Sequence, residues 1–98
     1  MRLVWSLLAD RQIDEALACI ADDDVAAAQR WLEELLERVG ALRRFPESGR
    51  VVPELGREEI RELLVGSYRV IYRRSEGFIE IAVVRHQARH FDEDELAR

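Results

Sequence analysis

The residues best equipped for chemistry are arginines and histidines gathered in the second half of the chain: Arg61, Arg69, Arg73, Arg85, Arg89, His86 and His90. A guanidinium stays charged and grips carboxylates or phosphates through a planar fork of donors, whereas an imidazole titrates near neutrality and can pass a proton. His86 and His90 have the spacing of two metal ligands on a helix, but Gln87 stands where the H-E-x-x-H pattern of zinc hydrolases needs a glutamate, so no metal is expected. The run Asp22-Asp23-Asp24 lacks the glycine spacing of a calcium loop and reads better as helix capping. There is no glycine-rich phosphate loop, no Ser-His-Asp order and no nucleophile elbow, and nothing in the sequence asks for a cofactor.

These side chains sit in a chain of 98 residues, 48% hydrophobic with only 5 Gly and 2 Pro, which fits one folded domain and excludes a disordered or collagen-like polymer. A core this small leaves no room for a deep walled cavity, so any site should be a surface or a shallow groove. All 15 basic residues are arginine, against 20 acids, for a net charge of -5. An acidic chain releases few counterions from a polyanion, which disfavours direct nucleic-acid binding. Cys19, alone among Leu17, Ala18 and Ile20, can form no internal disulfide and reads as buried packing in a reducing, cytoplasmic protein. The apolar opening, residues 1 to 9, is too short for a bilayer and is cut by Asp10 and Arg11, so neither an export signal nor a membrane span is expected.

The elements that must position the arginines follow from periodicity. Arg2 to Trp5 reads as a short strand. Ile13, Leu17 and Ile20 mark an amphipathic helix ending near Asp22. Asp23 or Asp24 caps a second helix, with Ala28, Leu32, Leu35, Val39 and Leu42 on its apolar stripe and Trp31 and Leu36 widening it. So short a connection predicts an antiparallel helical hairpin. After the break at Phe45-Pro46, the period changes to two. Glu59 to Val65, Tyr68 to Arg74 and Phe78 to Arg85 form a three-stranded antiparallel meander, turned at Gly66-Ser67 and Ser75-Glu76-Gly77. Alternation in the last strand puts Ile79, Ile81 and Val83 on the core face and Phe78, Glu80, Ala82 and Val84 on the other. Phe91 to Arg98 has the charge order of a short helix. The expected architecture is α+β, β-α-α-β-β-β, with the hairpin on one face of the sheet and the other face open to a partner.

Four pieces in order, Phe45-Pro46-x-x-Gly49-Arg50, Ile60-Arg61-Glu62-Leu63, Tyr68-Arg69-Val70-Ile71-Tyr72-Arg73 and His86-Gln87-Ala88-Arg89, resemble the toxin component of RelE/ParE-type toxin-antitoxin modules over nearly the whole chain. Such toxins fall into two kinds, one cutting messenger RNA in the ribosome and the other, ParE-like, poisoning DNA gyrase by binding it. Cutting RNA through its own 2'-hydroxyl requires a base, cations for the phosphorane charge and an acid for the leaving oxygen. For the ribosome-dependent branch the resemblance implies arginines at the places of Arg69 and Arg89, lysines at those of Ile60 and Glu62, and a tyrosine near Glu95. Only the two arginines are present, with His86 as a substitute base.

The reading favoured is therefore a ParE-like toxin that inhibits gyrase and is neutralised by a cognate antitoxin. A ribosome-dependent endoribonuclease using Arg69, Arg89 and His86 is the alternative, and an inactive relative acting only as an interaction module is the second. Candidate contacts to target or antitoxin are Arg61, Arg69, Arg73, Arg85, Arg89 and Trp5. The resemblance implies an antitoxin segment that folds on the toxin as helix and added strand, covering Val4, Trp5, Leu7 and Leu8 at a sheet edge and exposed apolar positions of the hairpin, and acidic where it crosses Arg61, Arg69 and Arg85. Arg69 reads equally well as a cross-strand ion pair with Glu62 or Glu80. Tyr68 and Tyr72, four apart in one strand, share a face and read as core.

Overall fold

The computed structural model describes residues 1–96. Strand β1 (Arg2–Trp5) leads into helix α1 (Leu7–Asp23), and a single residue later α2 (Val25–Gly40) returns. Ser6 starts α1 by accepting the Ala9 N–H at 2.9 Å, and Asp24 starts α2 by accepting from Ala27 at 3.2 Å, each satisfying a donor left unpaired in a first helical turn. A 3₁₀ turn, Ala41–Arg43, closes the hairpin, and β2 (Arg50–Val51), β3 (Ile60–Val65), β4 (Tyr68–Ser75) and β5 (Phe78–His86) follow. The expected meander is present, but inside a five-stranded sheet of order β1-β5-β4-β3-β2. The two-residue β2, which carries too little pattern to be read from sequence, pairs antiparallel with β3, and β1 runs parallel to β5.

The helices cover one face. Ala9, Ala16, Trp31, Leu35, Val39 and Leu42 pack on Leu63, Val65, Val70, Tyr72, Ile79 and Ile81. Trp31 donates its indole N–H to the Val65 carbonyl at 2.9 Å, beside Gly66, whose φ of 57° belongs to the left-handed region and where a Cβ would lie 3.1 Å from the Trp31 ring. Leu36, expected on the apolar stripe, is 53% exposed. In α1 the deepest positions are Ala9 and Ala16, with Ile13, Leu17 and Ile20 half-buried around them.

Three expectations are corrected. First, Val83 is not on the helix face. Ile71 stands opposite Val83 while Tyr72 stands opposite Ile81, so Ala82 is the extra residue of a β-bulge and the alternation flips after it. Val83 then turns to the far face and Val84 to the helices. The hydrogen bonds freed by the bulge go to α1, the Ser6 hydroxyl donating to the Ala82 carbonyl at 2.8 Å and the Val84 N–H donating to Gln12 Oε1 at 2.7 Å.

Second, the far face is not open. Val52, Ile60, Ile71, Ala82 and Val83 form a second core under Phe91 and Leu96, with Leu8 and Leu55 at its margin. The tail that covers it is a 3₁₀ turn, Glu93–Leu96, rather than a helix, and residues 97 and 98 of the expected helix lie outside the described residues. Its acids hid the two apolar anchors, Phe91 and Leu96, five positions apart. Third, Cys19 is exposed rather than buried, because the outward side of α1 carries it. Among the described residues no helix is long and apolar enough to cross a membrane.

Candidate functional site

The chemistry-bearing residues converge on the far face, where the register sets Arg69 of β4 between Leu64 of β3 and Arg85 of β5. Arg69 is buried, at 5% exposure, and its donors are taken. Nε donates to Glu62 Oε1 at 2.7 Å, and Nη1 and Nη2 donate to the two oxygens of Glu54 at 2.8 and 2.7 Å. Glu62, fully buried, accepts with its second oxygen from Arg50 Nε at 2.6 Å. Glu54 also accepts the Phe91 N–H at 3.2 Å, and the Arg69 guanidinium lies 5.9 Å from the Phe91 ring centroid, within cation–π range. One network, buried at Arg69 and Glu62, thus joins the loop after β2, two central strands and the tail.

Electrostatics follow the geometry. The hydrogen bonds from Arg69 hold the Glu54 carboxyl well below its ordinary value, at about 2, against the opposing effect of burial. The same bidentate pair with Glu54, reinforced by Glu62, holds Arg69 even more firmly protonated than a free arginine. A guanidinium whose fork already grips two carboxylates has no matching edge left for a phosphate. Ile60 and Glu62 add no cation, since the first is buried in the second core and the second is the anion of the network.

The motif pieces also interlock physically. The Tyr72 hydroxyl donates to the Pro46 carbonyl at 2.8 Å and accepts the Gly49 N–H at 3.0 Å. Desolvation of this buried ring raises its pKa. Gly49 permits the contact by having no Cβ, which would fall 2.6 Å from the Glu62 carbonyl oxygen and 2.7 Å from the Tyr72 hydroxyl. Arg61 ties the same loop from the helix side, donating to the Gly49 carbonyl at 3.0 Å and pairing with Glu58 at 2.7 Å. Phe45-Pro-x-x-Gly-Arg, Ile-Arg-Glu-Leu and the Tyr72 strand therefore form one folded joint.

The other candidates are scattered. Arg73 pairs with Glu80 at 3.0 Å, half-exposed, so Glu80 serves Arg73 while Glu62 serves Arg69. Arg85 is mostly covered by the tail, pairing with Glu95 and donating to the His90 carbonyl at 3.0 Å. Trp5 is half-buried against the helix-side core, as is Tyr68, while Tyr72 lies wholly within it. An open groove of about 510 Å³ brings Arg69 and His86 together with Arg50, Glu54 and Leu64. His86 there packs edge-on against Tyr68, ring centroids 5.4 Å apart, and its Nδ1 accepts the Ala88 N–H at 3.1 Å. Arg89 is exposed and borders a separate small hollow that it shares with His86. His90 is in a loop, 3.8 Å from Glu54, and does not share a helix with His86. Among the described residues no group of His, Cys, Asp or Glu is arranged to hold a metal. Glu54, Arg50 and Phe91 were missed by sequence reasoning. The only signal was the apolar bracket Val52-Pro53-Glu54-Leu55 around one acid.

The fold is a helical hairpin on a mixed five-stranded sheet, with Arg50, Arg61, Arg69, Arg73 and Arg85 paired to carboxylates of the same chain. A solved structure described as "Chromosomal ParDE TA system from P. aeruginosa" superposes with a TM-score of 0.72 at 18% identity, over 88% of this chain and 95% of that one, and shows the shared fold. Residues 3–91 match the family described as the ParE toxin of type II toxin-antitoxin systems, parDE, and the chain belongs to that family. It is also 39% identical over 88 residues to the "Putative toxin Y4kP" of Sinorhizobium fredii (strain NBRC 101917 / NGR234), covering 87% of this chain and 86% of that protein.

Proposed function

We propose that this ParE-family toxin arrests bacterial growth in the cytoplasm by binding DNA gyrase, without cutting RNA, and that a cognate antitoxin neutralises it. The observation that carries the non-nuclease part is the closed fork of Arg69, held by Glu54 and Glu62 where RNA cleavage would need cations facing a phosphate. Gyrase as the target follows from the resemblance to ParE toxins. For the antitoxin, β1 offers a strand edge, since it pairs in the sheet only with β5. Leu7, Val25 and Leu36, at 81%, 71% and 53% exposure, supply apolar positions on the hairpin for a segment that folds on binding. With Arg69 and Arg85 already covered from inside, Arg89 is an exposed cation left for its acids.

The test pairs two assays on purified toxin. Inhibition of gyrase supercoiling, relieved by stoichiometric antitoxin, with intact transcripts by primer extension in a translating extract, is the expected result. Codon-positioned cuts dependent on ribosomes would replace this reading with the endoribonuclease. Inactivity in both assays, together with no arrest on induced expression, would leave an interaction module.

A further inference from the structure

We propose that the tail, residues 87–96, is a built-in stand-in for a partner: it fills an Arg85-centred site on the far face which, with the tail lifted, takes an acidic peptide segment carrying two apolar anchors. Arg85 differs from Arg69 in what holds it. Arg69 donates to Glu54 and Glu62, which stay with the loop and β3. Both partners of Arg85 belong to the tail, Nη1 donating to the His90 carbonyl at 3.0 Å and Nη2 pairing with Glu95, while Nε is buried with no hydrogen-bond partner among the described residues. A guanidinium grips a carboxylate best along an edge of two donors. The second oxygen of Glu95 is turned to the Asp92 N–H at 3.2 Å, so the Nε–Nη2 edge is only half used, and a carboxylate approaching side-on would fill it.

The tail is seated so that it can leave. Phe91 and Leu96 cover an aliphatic floor of Val52, Ile60, Ile71, Ala82 and Val83. At the rim, Glu93 meets Arg57 at 3.5 Å with both side chains well exposed, a kind of pair that holds weakly, and an open hollow of about 160 Å³ remains between the turn and Arg57 and Arg73. Lifting the tail takes from the Arg69 network only the Phe91 N–H and ring, so Arg69, Glu62 and Arg50 keep their pairings and no buried charge is stranded in the sheet. What is bared is an aliphatic surface with Arg85 at one end and Arg57 and Arg73 at the other. The tail shows what that surface takes: two apolar side chains five positions apart, with carboxylates between them reaching arginines at both ends. The floor has no aromatic ring on which a base could stack, and a net charge of -5 gives a polyanion little attraction, so the partner is a protein segment rather than a nucleic acid.

The probe is a fluorescein-labelled peptide of residues 89–96, titrated against the full chain and followed by anisotropy. Two chains with the tail unseated, Phe91→Ala and Glu95→Arg, the second keeping both apolar anchors, should retain their helical circular dichroism and bind the probe about tenfold more tightly than the unaltered chain, whose site is already filled. Adding Arg85→Met to either should abolish that gain, as should Glu95→Gln in the probe. Equal binding by the unaltered chain, a gain that survives Arg85→Met, no binding by either unseated chain, or displacement of the probe by an RNA oligonucleotide overturns the proposal. So does sedimentation of the unaltered chain as a tail-exchanged dimer, which would make the occupant a second copy. No readout involves gyrase or an antitoxin, so the outcome stands apart from that of the functional reading.

Discussion

The two faces of the sheet are stabilised in opposite ways. The helix side is a continuous apolar core from Ala9 to Val84 in which the Tyr72 hydroxyl and the Trp31 indole N–H are hydrogen-bonded to backbone. The tail side mixes a small apolar cluster with buried Arg69 and Glu62, each of which must be hydrogen-bonded to be there at all. Apolar burial is non-directional and tolerates rearrangement, whereas a buried ion network fixes which residues meet. The helix face therefore supplies most of the cohesion and the tail face the registration of loop, strands and C-terminal segment.

The largest effect expected from breaking that contrast is at Glu62. Glu62→Ala leaves Arg69 and Arg50 without their shared carboxylate and should cost about 3–5 kcal/mol in urea unfolding, as loss of one partner of a buried pair does. Leu35→Ala on the helix face should cost about 2–5 kcal/mol by leaving a cavity. The two separate on repair, since a second change Arg69→Met should recover stability for Glu62→Leu, whereas no second change at a charged site repairs Leu35→Ala. Next is Phe91→Ala, which removes the tail's anchor. Amide exchange of residues 91–96 should accelerate at least tenfold while the helices keep their protection, because the tail opens as its own unit.

Tyr72→Phe should cost about 1–3 kcal/mol by leaving the Pro46 carbonyl and the Gly49 N–H unpaired under the sheet. Acid provides a milder test of the tail face alone. Glu54 has a folded pKa lowered to about 2 from 4.5, so its contribution is complete above the unfolded value and is lost as pH falls through the window from about 5 to 2. Tail exchange should rise in that window and precede loss of helical circular dichroism. The smallest effect belongs to Arg73→Ala, whose half-exposed pair with Glu80 should be worth less than about 1 kcal/mol. A change as large as that of Glu62→Ala would refute the division between buried and rim charges.

Much of the helix face could be read directly. The stripe Ala28, Leu35, Val39 and Leu42 repeats at helical spacing and is buried as that spacing requires, and Asp24 caps where an aspartate run before a helix should. The far face was not legible in the same way. Its covering residues, Phe91 and Leu96, sit in an acidic tail with no period, and Glu54 sits in a Pro/Gly loop, so their partners are set by chain path rather than by local pattern. The bulge at Ala82 defeated the alternation of β5 because an inserted residue leaves no trace in composition.

The sequence by itself determined the order of elements, the helical hairpin with its caps, the three long strands, and the family to which the motif pieces pointed, since these depend on periodicity and on neighbours within a few positions. Only the tertiary structure decided that β1 joins the sheet beside β5, that the tail closes the second face, and that Arg69 spends its donors on Glu54 and Glu62. Those outcomes depend on contacts such as Arg69 to Glu62, 7 positions apart, and β1 to β5, 76 positions apart, for which a guanidinium had several carboxylates of equal chemistry to choose from, and packing alone selected among them.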